Sequence, residues 1–158
     1  MSEPTPPATP RSSATVILVR DGHDGVEVFL MERSKVGMFG GLHVFPGGKV
    51  DGADQAGRWE EFANGMDDRQ ASAALGRERG GLAYWVACIR ECFEEAGVLL
   101  ASRDDGELLP LTDVDRRARF TNWRARLNGR EEGVFEEMCE RERLGLAADR
   151  IAYVGHWI

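Results

Sequence analysis

The sequence predicts one α+β domain. Three observations lead there: short β-branched runs separated by Asp-Gly turns near the N-terminus, helical apolar periodicity over residues 83–96, and a second helical pattern running from Thr112-Asp113 towards Gly129. With 158 residues, 42% hydrophobic and 30% charged, the chain can build one compact core rather than two.

The elements follow in order. Residues 1–12 hold four of the six prolines and almost no large apolar side chain, which predicts a flexible tail followed by a domain over 13–158. Thr15-Val16-Ile17-Leu18-Val19 and Val26-Glu27-Val28-Phe29-Leu30-Met31 read as paired strands across the turn cluster Asp21 to Gly25. A glycine-rich stretch from Gly37 to Gly41 leads into Leu42-His43-Val44-Phe45. That strand stops at Pro46-Gly47-Gly48 and resumes as Lys49-Val50. Residues 55–82 have too little periodicity for a firm element and read as a partly helical insertion.

Ala83 to Ala96 has helical spacing and meets Gly97, a residue that ends helices because it tolerates the left-handed conformation. Val98-Leu99-Leu100 reads as the next strand. Thr112 or Asp113 caps a helix whose apolar contacts are Val114, Phe120, Trp123 and Leu127, and a shorter helix follows around Val134, Phe135, Met138 and Cys139. Ile151 to Ile158 reads as a final strand. Its apolar finish on Trp157-Ile158 predicts a domain cut short at its C-terminal end.

Bulk charge narrows the partners. A net charge of −7 and a pI near 5.0 speak against a broad surface for nucleic acid or anionic membrane. No apolar run approaches the length needed to span a bilayer, and residues 1–13 lack the apolar stretch of a secretion signal. The three cysteines, Cys88, Cys92 and Cys139, form no disulfide framework, which suits a reducing cytoplasm and buried or half-buried free thiols. The pattern fixes no oligomeric state.

The chemistry concentrates on the helix ending at Gly97. At about 100° per residue, Glu91, Glu94 and Glu95 share one face, while Ile89, Cys92, Phe93 and Ala96 gather opposite. Glu91 and Glu95 repel at four-residue spacing, and a divalent cation would neutralise them; hard carboxylate oxygens without a His or Cys cluster suit magnesium or manganese. Taken alone, such a face is more often plain solvated surface, with Arg90 paired to Glu94. Phe45-Pro46-Gly47-Gly48 alone is likewise most often a turn, although it exposes backbone carbonyls.

Taken together, the two segments resemble the Nudix hydrolase superfamily. Its signature is written G-x5-E-x7-R-E-U-x-E-E-x-G-U, with U apolar. Arg90, Glu91, Cys92, Glu94, Glu95, Gly97 and Val98 match the second half at every specified position. The first half starts at Gly48 but carries Asp54 in place of Glu. Gly48 to Arg90 spans 42 positions where the pattern requires 14, so the box holds 28 extra residues. A box split in this way resembles the branch containing the peroxisomal coenzyme A diphosphatases and their bacterial homologues. Arg33-Ser34 and Gly41-x3-Phe45-Pro46-Gly47-Gly48 agree with the coenzyme A pattern; its intervening arginine is absent at Met38, and the spacing is one residue short.

The resemblance implies an α/β/α sandwich around a mixed sheet and hydrolysis of a phosphoanhydride bond in a nucleoside-diphosphate-linked small molecule, with coenzyme A derivatives among the candidates. It implies Mg2+ or Mn2+ held by Glu91, Glu94, Glu95 and the Gly47 carbonyl, with Glu94, Glu95 and Arg90 as the catalytic set and Arg90 orienting the glutamates. Asp54 either braces the loop in place of the usual Glu or has been displaced by the insertion, and the general base is either a box glutamate or a later one. One rival reading is a Nudix-fold module that binds a nucleotide or cofactor without cutting it. Another is a nucleic-acid binder using Arg116, Arg117, Arg119, Arg124 and Arg126; a solvated face paired with neighbouring acids is the simpler account of that cluster. His23, His43 and His156, and Trp59, Trp85, Trp123 and Trp157, read as surface or packing residues.

Overall fold

The computed structural model describes residues 10–33, 41–56, 58–103 and 106–156, and is built around one helix, α2 (Leu82–Ala96). The expected tail residues 1–9, the stretch 34–40 and Trp157-Ile158 lie outside the described residues. Ahead of α2 come β1 (Ser13–Thr15), β2 (Val19–Gly22), β3 (Gly25–Val28), β4 (Met31–Glu32), β5 (His43–Val44), β6 (Gly47–Lys49) and the short helix α1 (Asp68–Ala74). After it come β7 (Ala101–Ser102), α3 (Val114–Asn128), α4 (Val134–Glu142) and β8 (Gly145–Leu146).

The fold is α+β, as the sequence predicts, but its strands form four two-stranded antiparallel ladders: β1 with β6, β2 with β3, β4 with β5, and β7 with β8. Among the described residues the parallel pairing is a single bridge between Ala63 and Leu146. The strand expected over 15–19 is broken at Val16 to Leu18, and its halves take different partners: Thr15 lies opposite Gly47, while Val19 lies opposite Val28. The strand ending at Val44 stops ahead of Pro46-Gly47-Gly48, as expected, but pairing resumes at Gly47 rather than at Lys49 and with a different partner, β1. The Pro46 carbonyl accepts from the Val16 N–H at 2.9 Å, so the ladder runs past the missing proline donor into Gly47–Lys49.

Three other expectations are corrected. Val98-Leu99-Leu100 is not a strand; the strand starts at Ala101, where it meets Gly145-Leu146. Residues 151–156 form no strand. Val114 is 77% exposed, because six residues place it roughly 120° round the helix from Phe120, whereas Phe120, Trp123 and Leu127 share the buried face. The expected apolar N-terminal strands also contribute little core. Val16 is buried, but Val19, Val26 and Val28 lie on one exposed face of the β2–β3 hairpin.

The core is mainly helical. Leu82, Val86, Ile89 and Phe93 of α2 pack with Phe120, Trp123 and Leu127 of α3 and with Val134, Phe135 and Met138 of α4. Phe93 meets Phe120 edge to face, ring centroids 6.2 Å apart at 84°, which pins α3 across α2. The other flank of α2 presents Cys88 and Cys92 to Val16 in a smaller cluster. With apolar flanks on both sides, α2 keeps only its glutamate face for solvent.

The insertion is integral to this core. It follows a 3-10 turn at Ala53–Gln55, forms a second at Trp59–Glu61 and then α1, and buries Trp59 in the main cluster alongside Trp85 and Trp123. Asp67 caps α1 with a reciprocal capping box to Gln70. Asp68 then caps α2 from outside: its carboxylate accepts the N–H groups of Leu82 and Gly80, both at 2.9 Å. The bond from Leu82, more than any other influence, holds the Asp68 carboxyl below its ordinary value. Among the described residues, no helix is long and apolar enough to cross a membrane.

Two outcomes follow from this packing. Because the Asp68 carboxyl stays ionised in the folded state below its usual 3.8, its contribution is present above that value and fades as pH falls through the lowered one. Asp68→Asn therefore lowers stability by about 1 kcal/mol near neutrality and flattens the acid side of the stability profile, read by urea unfolding at a series of pH values. Burial pushes the thiols of Cys88, Cys92 and Cys139 up to about 12. A thiol-titrating reagent at mildly alkaline pH finds none of them in the folded protein and all three in denaturant; rapid labelling of the folded chain contradicts the packing.

Candidate active site

Ladder geometry brings the two halves of the split signature together. Val16 donates to the Pro46 carbonyl and Val50 to the Ser12 carbonyl, so alternate residues of β6 turn their N–H and C=O towards β1 and those between turn theirs towards α2. The Gly47 N–H accordingly donates to Glu95 Oε2 at 3.0 Å, and the Lys49 carbonyl accepts from Arg90 NH2 at 2.9 Å. The N–H and C=O of one strand residue point the same way, so the Gly47 carbonyl also faces the helix. Gly48 makes the approach possible, since a Cβ there would collide with the Glu91 carboxylate.

Arg90 ties the site together. Its side chain is 9% exposed and that of Asp54 is 1% exposed. Nε donates to Asp54 Oδ1 at 2.9 Å and NH2 to Asp54 Oδ2 at 2.8 Å, a bidentate pair. NH2 also reaches Lys49 O, while NH1 donates to Glu91 Oε1 at 2.9 Å and Glu94 Oε2 at 3.4 Å. A guanidinium has five N–H donors, and each here has a carbonyl or carboxylate partner. Burial alone would pull the Arg90 pKa down; the hydrogen bonds and charges of Asp54 and Glu91 outweigh it and leave it raised. Of the two roles open to Asp54, the structure shows the bracing one: it holds Arg90 and also accepts the Asp51 N–H at 2.8 Å, closing the loop from Asp51 to Asp54.

The three glutamates share the face that the helical spacing predicts. Burial, the largest influence, pushes the Glu91 carboxyl upward, and Glu94 and Glu95 add to the rise while Arg90 opposes it. Burial also raises Glu94, with Glu95 and Asp51 adding and Arg90 and Arg130 opposing. Glu91 and Glu94 are thus partly desolvated with incomplete compensation, beside the exposed Glu95. Among the described residues, no three His, Cys, Asp or Glu side chains are gathered as a ready metal cage. The donor chemistry nevertheless fits a hard cation: Glu91, Glu94 and Glu95 each engage one oxygen with Arg90 or Gly47, and the second oxygens lie outside those bonds.

Beside this face opens a cleft of about 700 Å³, lined by Glu94, Glu95 and Gly47 at one side and by Arg33, His43, Phe45 and Arg124 among others. A second concavity of about 620 Å³ around Asn64, Ser102 and Gly145 shares no lining residue with it and contains none of the signature glutamates. The arginine cluster of α3 is engaged internally. Arg116 and Arg117 bond carbonyls of residues 110–112, Arg119 pairs with Glu142, Arg126 pairs with Glu131 and Glu137, and Arg124 bonds the end of α2. His23 and His156 are exposed, bonded to Asp24 and Tyr153, while His43 reaches the cleft wall. Sequence reasoning missed Asp68 and Arg124 as supports of α2; neither has a local signal, because each acts on a helix other than its own.

Comparison with curated proteins finds an acyl-coenzyme A diphosphatase NUDT19 from Xenopus laevis, 29% identical over 144 residues and covering 74% of this chain, and one from Gallus gallus, 26% identical over 142 residues and covering 72%. The chain spans 37% of the length of each. No family model and no solved structure matches.

The Arg90 and Asp54 pair carries a stability consequence. Asp54→Ala leaves a buried guanidinium without its main counter-charge and lowers unfolding free energy by about 3–5 kcal/mol, measured by urea denaturation. A loss below about 1 kcal/mol would place the pair in solvent rather than in the core.

Proposed function

We propose that this chain, a relative of the Nudix hydrolases, is a divalent-metal-dependent diphosphatase: water adds to one phosphorus of a diphosphate, and the bridging oxygen leaves with the other. One observation carries this reading. Gly47-Gly48 and Glu91-Glu95, more than forty positions apart, meet edge to face with Arg90 joining them, an arrangement that lets a split signature act as a single site.

Glu91, Glu94, Glu95 and the Gly47 carbonyl would hold Mg2+ or Mn2+, which supplies positive charge for diphosphate oxygens and makes water more acidic. Arg90 fixes one oxygen of Glu91 and one of Glu94, so the carboxylates lose little freedom on engaging a ligand. Asp54 keeps Arg90 charged and stationary. Arg33, His43 and Arg124 set cationic and polar groups beside the glutamates in the cleft, and Phe45 and Met31 add apolar surface, a lining suited to a small molecule joining a diphosphate to an organic body. Acyl-coenzyme A esters are the first class to test, because the curated relatives carry that name. We assign the elements around α2 to an α/β/α sandwich of the Nudix kind, with the β1–β6 ladder against the glutamate side and α3 on the apolar side. Three buried thiols suit a reducing compartment such as the cytoplasm.

Mass spectrometry of products after incubation with Mg2+ or Mn2+ and a panel of coenzyme A esters, dinucleotides, nucleotide sugars and nucleoside triphosphates decides the class. Cleavage inside a phosphoanhydride, abolished by chelation, is the expected result. Glu94→Gln and Glu95→Gln each lower turnover by on the order of a hundredfold or more without unfolding the chain. Unchanged turnover in both variants sinks the assignment, and metal-dependent binding without product favours a binding module.

A further inference from the structure

The signature explains Gly97 only as a helix stop, yet the structure places a second demand on it. Gly97 has φ +71°, and a Cβ there would lie 3.2 Å from NH1 of Arg124. The Arg124 guanidinium lies over this glycine and donates from Nε to the Glu94 carbonyl at 2.8 Å and from NH2 to the Glu95 carbonyl at 2.6 Å. These are two of the carbonyls that a helix leaves without partners at its C-terminal end. Phe120, one turn earlier on the same side of α3, holds Phe93, the residue just before Glu94. The Asn128 side chain, one turn later, bonds the Arg124 carbonyl at 3.0 Å.

We infer that Arg124 is a positioning residue for the glutamate site: by clamping the Glu94 and Glu95 carbonyls it fixes the last turn of α2, and so the line from the Glu95 carboxylate to the Gly47 edge. Three features make an arginine necessary. Its planar fork matches two adjacent carbonyl oxygens, which an ammonium reaches only one at a time. Its charge offsets the negative end of the helix where three carboxylates already crowd. Its span from α3 transmits the rigidity of the Phe93–Phe120 contact to the site.

The inference rests on the proposed hydrolase reading only for its metal arm, so the test has two arms on the full chain, comparing wild type, Arg124→Ala and Arg124→Lys. The first is hydrogen exchange of the Gly47 amide, the group bonded to Glu95. It speeds up about tenfold in Arg124→Ala while amides of Met138 and Cys139 in α4 keep their rates, and Arg124→Lys recovers part of the protection. The second is Mn2+ affinity by calorimetry, which weakens about tenfold in Arg124→Ala. Equal acceleration of all amides, or an unmoved Gly47 amide, overturns the clamp by reducing Arg124 to general packing. Wild-type Mn2+ affinity in Arg124→Ala likewise overturns it and leaves the metal site standing. A wild-type chain that binds no Mn2+, with a Gly47 amide that still responds, keeps the clamp and removes the metal reading.

Discussion

The buried pairing of Arg90 with Asp54 is the constraint on which the site depends. Removing a guanidinium and a carboxylate from water is costly, and their attraction offsets that only when the remaining donors and acceptors are filled. Here they are: the five N–H groups of Arg90 meet Asp54, Lys49, Glu91 and Glu94, and Asp54 takes the Asp51 amide as well. The pair therefore fixes the chain segment from the edge of β6 through the loop at Asp51 to Asp54 against the glutamate face of α2, some forty positions away in sequence. A neutral or shorter side chain at position 90 would break these links together.

This clamp also accounts for how a signature interrupted by 28 residues still makes one site. The extra chain enters after Asp54 has reached Arg90 and returns at the first turn of α2, so both closing contacts lie outside it. Nor does it hang free. Trp59 donates from its indole to the Ala53 carbonyl at 2.8 Å and packs on Phe135, and Asp68 supplies the cap that α2 lacks in its own sequence. α2 is held by the insertion at its start, by Arg90 at its middle and by Arg124 at its end.

What was legible in the sequence followed the range of the interaction. The bounds of α2 and α3 could be read within a residue because their signals are local: Gly97 with its left-handed φ, Asp113 accepting the Arg116 N–H, and Gly129 closing α3. The glutamate face followed from helical spacing alone. The strand Gly145-Leu146 was invisible because two residues carry no periodicity and their partners lie some forty positions away. The strands were over-extended for the related reason that β-branched runs report propensity rather than pairing, and Val16 to Leu18 turn between two ladders. The arginines of α3 looked alike in sequence; only the fold separates Arg124, which reaches the end of α2, from Arg116, which bonds its own preceding loop.

The most direct measurement is the site-by-site loss of amide NMR signals as Mn2+ is added at substoichiometric amounts, since the paramagnetic ion broadens what lies nearest to it. The account predicts that Gly47, Gly48, Glu91, Glu94 and Glu95 fade first and together. Fading led by Asn64, Ser102 and Gly145 around the second concavity, or spread evenly over the acidic surface, would contradict it.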